Sequence, residues 1–120
     1  MNKQIWKSIR SYEDADTFIK PARHSRTIYH YLKIKRDWFD DCIYVVYRGT
    51  KIVTFWQNGK IEIFANGWQS KTTKKYINMF ANVNIYQRDF VWYWQNEVYD
   101  LNKRYIVKDM ATLLPYPPNF

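Results

Sequence analysis

Apolar residues recur first at helical spacing along this chain and then at strand spacing. From Asn2 to Ser25, the residues Ile5, Trp6, Ile9, Tyr12, Ala15, Phe18 and Ile19 fall three and four apart. That spacing predicts a helical stripe in two pieces. Ser11 followed by Glu13-Asp14 reads as a helix start with acids in the first turn, and Pro21 should end this helix at or before Lys20.

Beyond Pro21 the period shortens. Thr27–Ile34 is β-branched and aromatic and reads as one strand. Cys42–Tyr47 reads as a second, apolar on both faces and central. Arg48-Gly49 turns the chain into Thr50–Trp56. Asn58-Gly59 then predicts a tight hairpin with positive φ at Gly59, and Lys60–Ala65 returns. After the corner Asn66-Gly67-Trp68, a helix runs to about Ala81 with Tyr76, Ile77 and Phe80 on one face. Asn84–Gln87 and Phe90–Trp94 form a hairpin around Arg88-Asp89, and Arg104–Val107 is a last short strand. The pattern predicts a single α+β domain over residues 1–114 and an extended tail over 115–120. The sheet is mostly antiparallel and twisted, of about six or seven strands, packed on one or two helices. Neighbours in sequence should be neighbours in the sheet.

Composition sharpens this picture at two points. Aromatic residues make up 20% of the 120, favouring a β-rich core. Lys and Arg total 19 against 11 Asp and Glu, a net +8. Such an excess speaks about partners rather than fold. It is also local: Lys20, Arg23, Arg26, Lys33, Lys35 and Arg36 crowd a stretch without acids. The single cysteine, Cys42, excludes an internal disulfide and any multi-cysteine zinc site. No secretion signal and no membrane-length apolar run is visible, so a soluble cytoplasmic protein is expected.

Ala15, Phe18-Ile19, the basic turn Arg23 to Arg26, Ile52-Val53-Thr54-Phe55, Gly59, Ile61 and Ile63 set up a recurring pattern. It continues in Gly67-Trp68, Ser70, Thr72-Thr73-Lys74, Ile77-Asn78, Ile85-Tyr86-Gln87 and Val91-Trp92-Tyr93. Over roughly Ala15 to Tyr93 the chain resembles a family of small uncharacterised proteins of bacteriophages and bacterial genomes. It departs at Asn66, where the family pattern has a first Gly. The resemblance implies a common fold and a mobile-element setting, and carries no activity with it.

The corner admits two readings. A helix N-terminus attracts anions, and Ser70, Thr72, Thr73, Lys71, Lys74 and Lys75 could supply hydroxyls and charge. The simpler reading comes first: Ser70 caps the helix, Thr73 faces the sheet, the lysines face water, and the Trp68 indole is buried over Tyr76, Ile77 and Phe80. The P-loop spacing is absent. His24, His30 and Cys42 do not make a recognisable metal set, and Cys42 reads as a buried inert thiol. Glu13, Asp14 and Asp16 are explained as helix-start acids. Asp37, Asp40 and Asp41 are turn-formers or a small acidic edge. Trp92-Tyr93-Trp94 is core before it is a platform for bases.

The reading is therefore a small basic protein without catalytic residues, cofactor or metal. The expected partner is nucleic acid, DNA or RNA, held by Lys20, Arg23, Arg26, Lys33, Lys35 and Arg36 together with Lys71, Lys74 and Lys75. The alternative is an inhibitor or modulator that masks an acidic host or defence protein. No membrane partner is expected, and the oligomeric state is open.

Overall fold

The computed structural model describes residues 5–20 and 24–108. A 3-10 turn, Ile5–Ser8, precedes helix α1, Tyr12–Ile19. Five strands follow: β1, Ser25–Tyr29; β2, Leu32–Asp37; β3, Cys42–Tyr47; β4, Thr50–Trp56; and β5, Ile61–Phe64. Then come helix α2, Lys71–Ala81, and strands β6, Tyr86–Arg88; β7, Val91–Trp94; β8, Glu97–Val98; and β9, Arg104–Lys108. The main sheet is antiparallel in the order β1-β2-β3-β4-β5-β9, and β6-β7-β8 form a second, three-stranded sheet. The chain is a single α+β domain, and the expected tail lies outside the described residues.

Alternation sorts the main sheet into two faces. Ile34, Val45, Val53 and Ile63 lie in register across β2 to β5, and all are fully buried. Both helices pack against this inner face. Helix α1 contributes Ala15, Phe18 and Ile19, and α2 contributes Tyr76, Ile77, Phe80 and Ala81, all to one core with the inner strand residues. Each fully buried Ile or Phe contributes about 1.5–3 kcal/mol by leaving water. The small sheet joins the same core through Trp92, with Trp94 edge-on to Tyr105.

The helix ends follow the sequence closely. The Ser11 side chain accepts from the Asp14 N–H at 3.1 Å, and the Asp14 carboxylate accepts from the Arg10 N–H at 3.0 Å. This reciprocal box fixes the start of α1. Lys20 closes it with φ 79°, its N–H bonded to the Asp16 carbonyl. Helix α2 ends on Asn82 in the left-handed region at φ 56°.

Two expectations on strands change. Thr27–Ile34 is not one strand; the chain reverses at His30-Tyr31, with φ 59° at Tyr31. No Gly, Pro or Asn marks that turn. It is held by the Arg48 N–H on the Tyr31 carbonyl at 2.9 Å and by the Arg48 guanidinium 4.4 Å from the Tyr31 ring centroid. The main sheet keeps the expected six strands. But β9 breaks sequence order, crossing back to pair with β5. The Gly59 hairpin is as expected: Trp56 and Lys60 bond across Gln57-Asn58-Gly59, with φ 98° at Gly59.

Candidate functional site

The Asn66-Gly67-Trp68 corner is built as a structural joint. Asn66 and Gly67 both take left-handed backbone, at φ 53° and 78°. Gly67 donates its N–H to the Leu101 carbonyl at 2.8 Å, and a Cβ there would meet Asn102 Oδ1 at 3.1 Å. Ser70 accepts from the Thr73 N–H at 3.0 Å and donates its hydroxyl to Thr73 Oγ1 at 2.7 Å. Asn78 receives the Ile85 N–H at 2.8 Å and donates to the Ile85 carbonyl at 2.9 Å, so its amide acts as a strand partner for that loop.

The Trp68 expectation fails. The indole is 54% exposed. Its place over α2 is taken by Trp6, whose ring lies 6.3 Å from Tyr76 and 6.1 Å from Phe80. The two left-handed residues before Trp68 swing it outward instead. Beside it, the Gln69 amide donates to the carbonyl of Phe90, itself 85% exposed.

The structure divides the predicted basic residues into three groups. Arg36 does not belong to the surface: it is 4% exposed, with Nη2 2.6 Å from Asp16 Oδ1 and 3.4 Å from the Lys20 carbonyl. Position 36 falls on the inner face of β2 in phase with Leu32 and Ile34, which spacing by two dictates. Arg26 is likewise engaged, donating to the Phe18 carbonyl at 2.8 Å with its guanidinium 3.9 Å from the Phe18 ring centroid. Arg23 lies outside the described residues. Lys20 is exposed at the end of α1. Lys71, Lys74 and Lys75 sit at the start of α2, on the helical side of the sheet. Lys33 and Lys35 point to the other side, out of phase with the buried Leu32, Ile34 and Arg36. Lys33 and Lys35 therefore do not share a surface with Lys71, Lys74 and Lys75.

What the outer face holds instead was not singled out from the sequence. Along β3, β4 and β5 it presents Tyr44, Trp56 and Phe64, all half-buried and alternating with core residues. Each ring carries a cation. Lys51 Nζ is 4.3 Å from the Tyr44 centroid, Lys60 Nζ 4.1 Å from Trp56, and the Arg104 guanidinium 4.2 Å from Phe64. Lys33 and Lys35 extend the charge toward β1. Two of the acids there are engaged, while Asp40 and Asp41 line a cleft beside Trp56. Glu62 pairs with Arg104 at 3.2 Å, and Asp37 accepts from the Phe39 and Asp40 N–H groups. Counting only the outward positions of each strand would have found this set.

Trp92 is buried and Tyr93 stacks on Tyr86 at 5.6 Å, so the β7 rings face neighbours within the domain. Cys42 is buried at the edge of the outer face. Loss of water pushes its thiol up to about 11, with Asp37 and Asp40 adding to the rise. Among the described residues no group of three or more His, Cys, Asp or Glu could hold a metal ion, and no helix is long and apolar enough to cross a membrane.

A family model described as Kyanoviridae Gp96 protein matches residues 11–112. The chain belongs to this family of phage proteins. Its matched span takes in both helices and both sheets. Neither the curated proteins nor the solved structures contain a match.

Proposed function

We propose that this phage accessory protein is a non-enzymatic binding module that engages nucleic acid through the outer face of its main sheet. The observation that supports this is the set of ring–cation pairs on Tyr44, Trp56 and Phe64, flanked by Lys33 and Lys35. Among the described residues neither of these two lysines is ion-paired. Positive charge meets phosphate and releases counterions, and flat rings meet bases. Lys71, Lys74 and Lys75 lie apart from this surface, at the start of α2. Fluorescence anisotropy against generic oligonucleotides at two salt concentrations tests the reading. Affinity should fall steeply with salt, and Lys33→Glu with Lys35→Glu should weaken binding without unfolding the domain. No binding at low salt would dismiss it.

Protein contact is the second reading, and one observation favours it. Trp68 and Phe90 are both exposed, and the Gln69 amide next to Trp68 donates to the Phe90 carbonyl just before α2. An apolar pair beside lysines suits an acidic protein surface. Recovery of one specific protein by the native chain, abolished by Trp68→Ser with Phe90→Ser, would carry this reading over the first.

A further inference from the structure

Resting on the nucleic-acid reading above, we infer that the outer face takes single-stranded rather than duplex nucleic acid, by exchanging the cations on Tyr44 and Trp56 for bases. Register fixes the layout. Tyr44 lies opposite Thr54, and Thr54 opposite Glu62. Trp56 is two residues along β4 from that line, and Phe64 two residues along β5 in the opposite direction, because the strands are antiparallel. Strand rise and spacing put Trp56 roughly 8 Å and Phe64 roughly 12 Å from Tyr44 at the backbone. The three rings thus form a staggered triangle on the sheet, Trp56 and Phe64 on opposite sides of the Tyr44 line and roughly 14 Å apart at the backbone.

A duplex hides its base faces within the stack, so such a set of rings offers it nothing beyond charge. An unpaired strand offers both faces and phosphates. In the free protein, Lys51 rests on Tyr44 and Lys60 on Trp56. A cation on an exposed ring gains only about 0.5–1 kcal/mol. A base can therefore displace it, and the freed ammonium, on its flexible stem, reaches the adjoining phosphate. Arg104 is different: its ion pair with Glu62 holds it over Phe64. Tyr44 and Trp56 are accordingly the exchanging positions and Phe64 the fixed edge.

The experiment compares a fluorescein-labelled oligo(dT) and oligo(U) with a duplex of equal length on the native protein. The single strands should bind at least about tenfold more tightly. Tyr44→Ala and Trp56→Ala should each lower single-strand affinity about five- to a hundredfold, with duplex binding nearly unchanged. Trp56→Phe should retain most of the affinity, and it guards against a merely misfolded alanine variant. Lys51→Gln and Lys60→Gln should each reduce the salt slope by about one phosphate contact. Equal binding of duplex and single strand, indifferent to Trp56→Ala, overturns this inference while leaving the nucleic-acid reading standing. Binding of neither removes both.

Discussion

Arg36 and Asp16 meet at 2.6 Å between the sheet and α1, tying a strand residue that is almost wholly buried to a helix residue that is still partly in water. Tyr12 and the Lys20 carbonyl add further contacts to the same guanidinium. Removing one partner of a buried pair strands the other. Asp16→Ala is expected to cost about 3 kcal/mol, the low end for such a pair because Asp16 keeps partial hydration. Arg36→Met, which removes the charge and fills the space, should cost less. Urea denaturation of the two variants and their double mutant checks the order; Asp16→Ala on the Arg36→Met background should be nearly neutral.

Trp6 packs where Trp68 was expected. Trp6→Ala should therefore lose about 2 kcal/mol, somewhat less than a fully buried aromatic, whereas Trp68→Ala should stay within about 0.5 kcal/mol of the parent. Thermal melts of the two variants discriminate directly. Equal losses would mean the 3-10 turn does not hold Trp6 against α2.

The α2 corner should behave as a cap and not as a charged site. Ser70→Ala is expected to cost about 1 kcal/mol, and Lys71→Gln with Lys74→Gln almost nothing. Asn78→Ala leaves the Ile85 N–H and carbonyl without their partner and should cost about 1–3 kcal/mol. Chemical denaturation separates the three.

Gly59→Val forces a β-branched residue into φ near 98° at the β4–β5 turn. The expected loss is about 1–3 kcal/mol. An unchanged melting temperature would remove the turn assignment.

What could be read directly from the chain were features carried by local chemistry. Ser11, Ser70 and Asn58-Gly59 each impose a cap or a turn through their own side chain or backbone. What could not be read depended on distant residues. Tyr31 holds a left-handed turn only because Arg48 arrives to stack on it. Trp6 covers α2 from the other end of the sequence. Arg36 was placed on the surface because charge was weighed by residue type; its phase with Leu32 and Ile34 put it inside. The same phase, followed along β3 to β5, would have singled out Tyr44, Trp56 and Phe64. That Lys51, Lys60 and Arg104 lie over those rings depends on hairpin register, and for Arg104 on a strand that returns out of sequence order.

Cys42 supplies a prediction in pH. Burial, followed by the nearby Asp37 and Asp40, raises its thiol from 9.0 to about 11, while Lys51 opposes the rise. The raised value means that the folded chain disfavours the thiolate. The corresponding stability is fully present below pH 9 and is lost as pH climbs from about 9 through about 11, since only the unfolded chain ionises early in that window. Reactivity follows the same sign. At pH 9 an unfolded thiol is about half ionised and the folded one about one hundredth, so alkylation by iodoacetamide should be at least about fiftyfold slower in the native protein than in urea. Lys51→Gln removes the one opposing charge and should slow it further, whereas Asp37→Asn should quicken it. A native rate equal to the denatured rate would place Cys42 in water and remove it from the edge of the outer face.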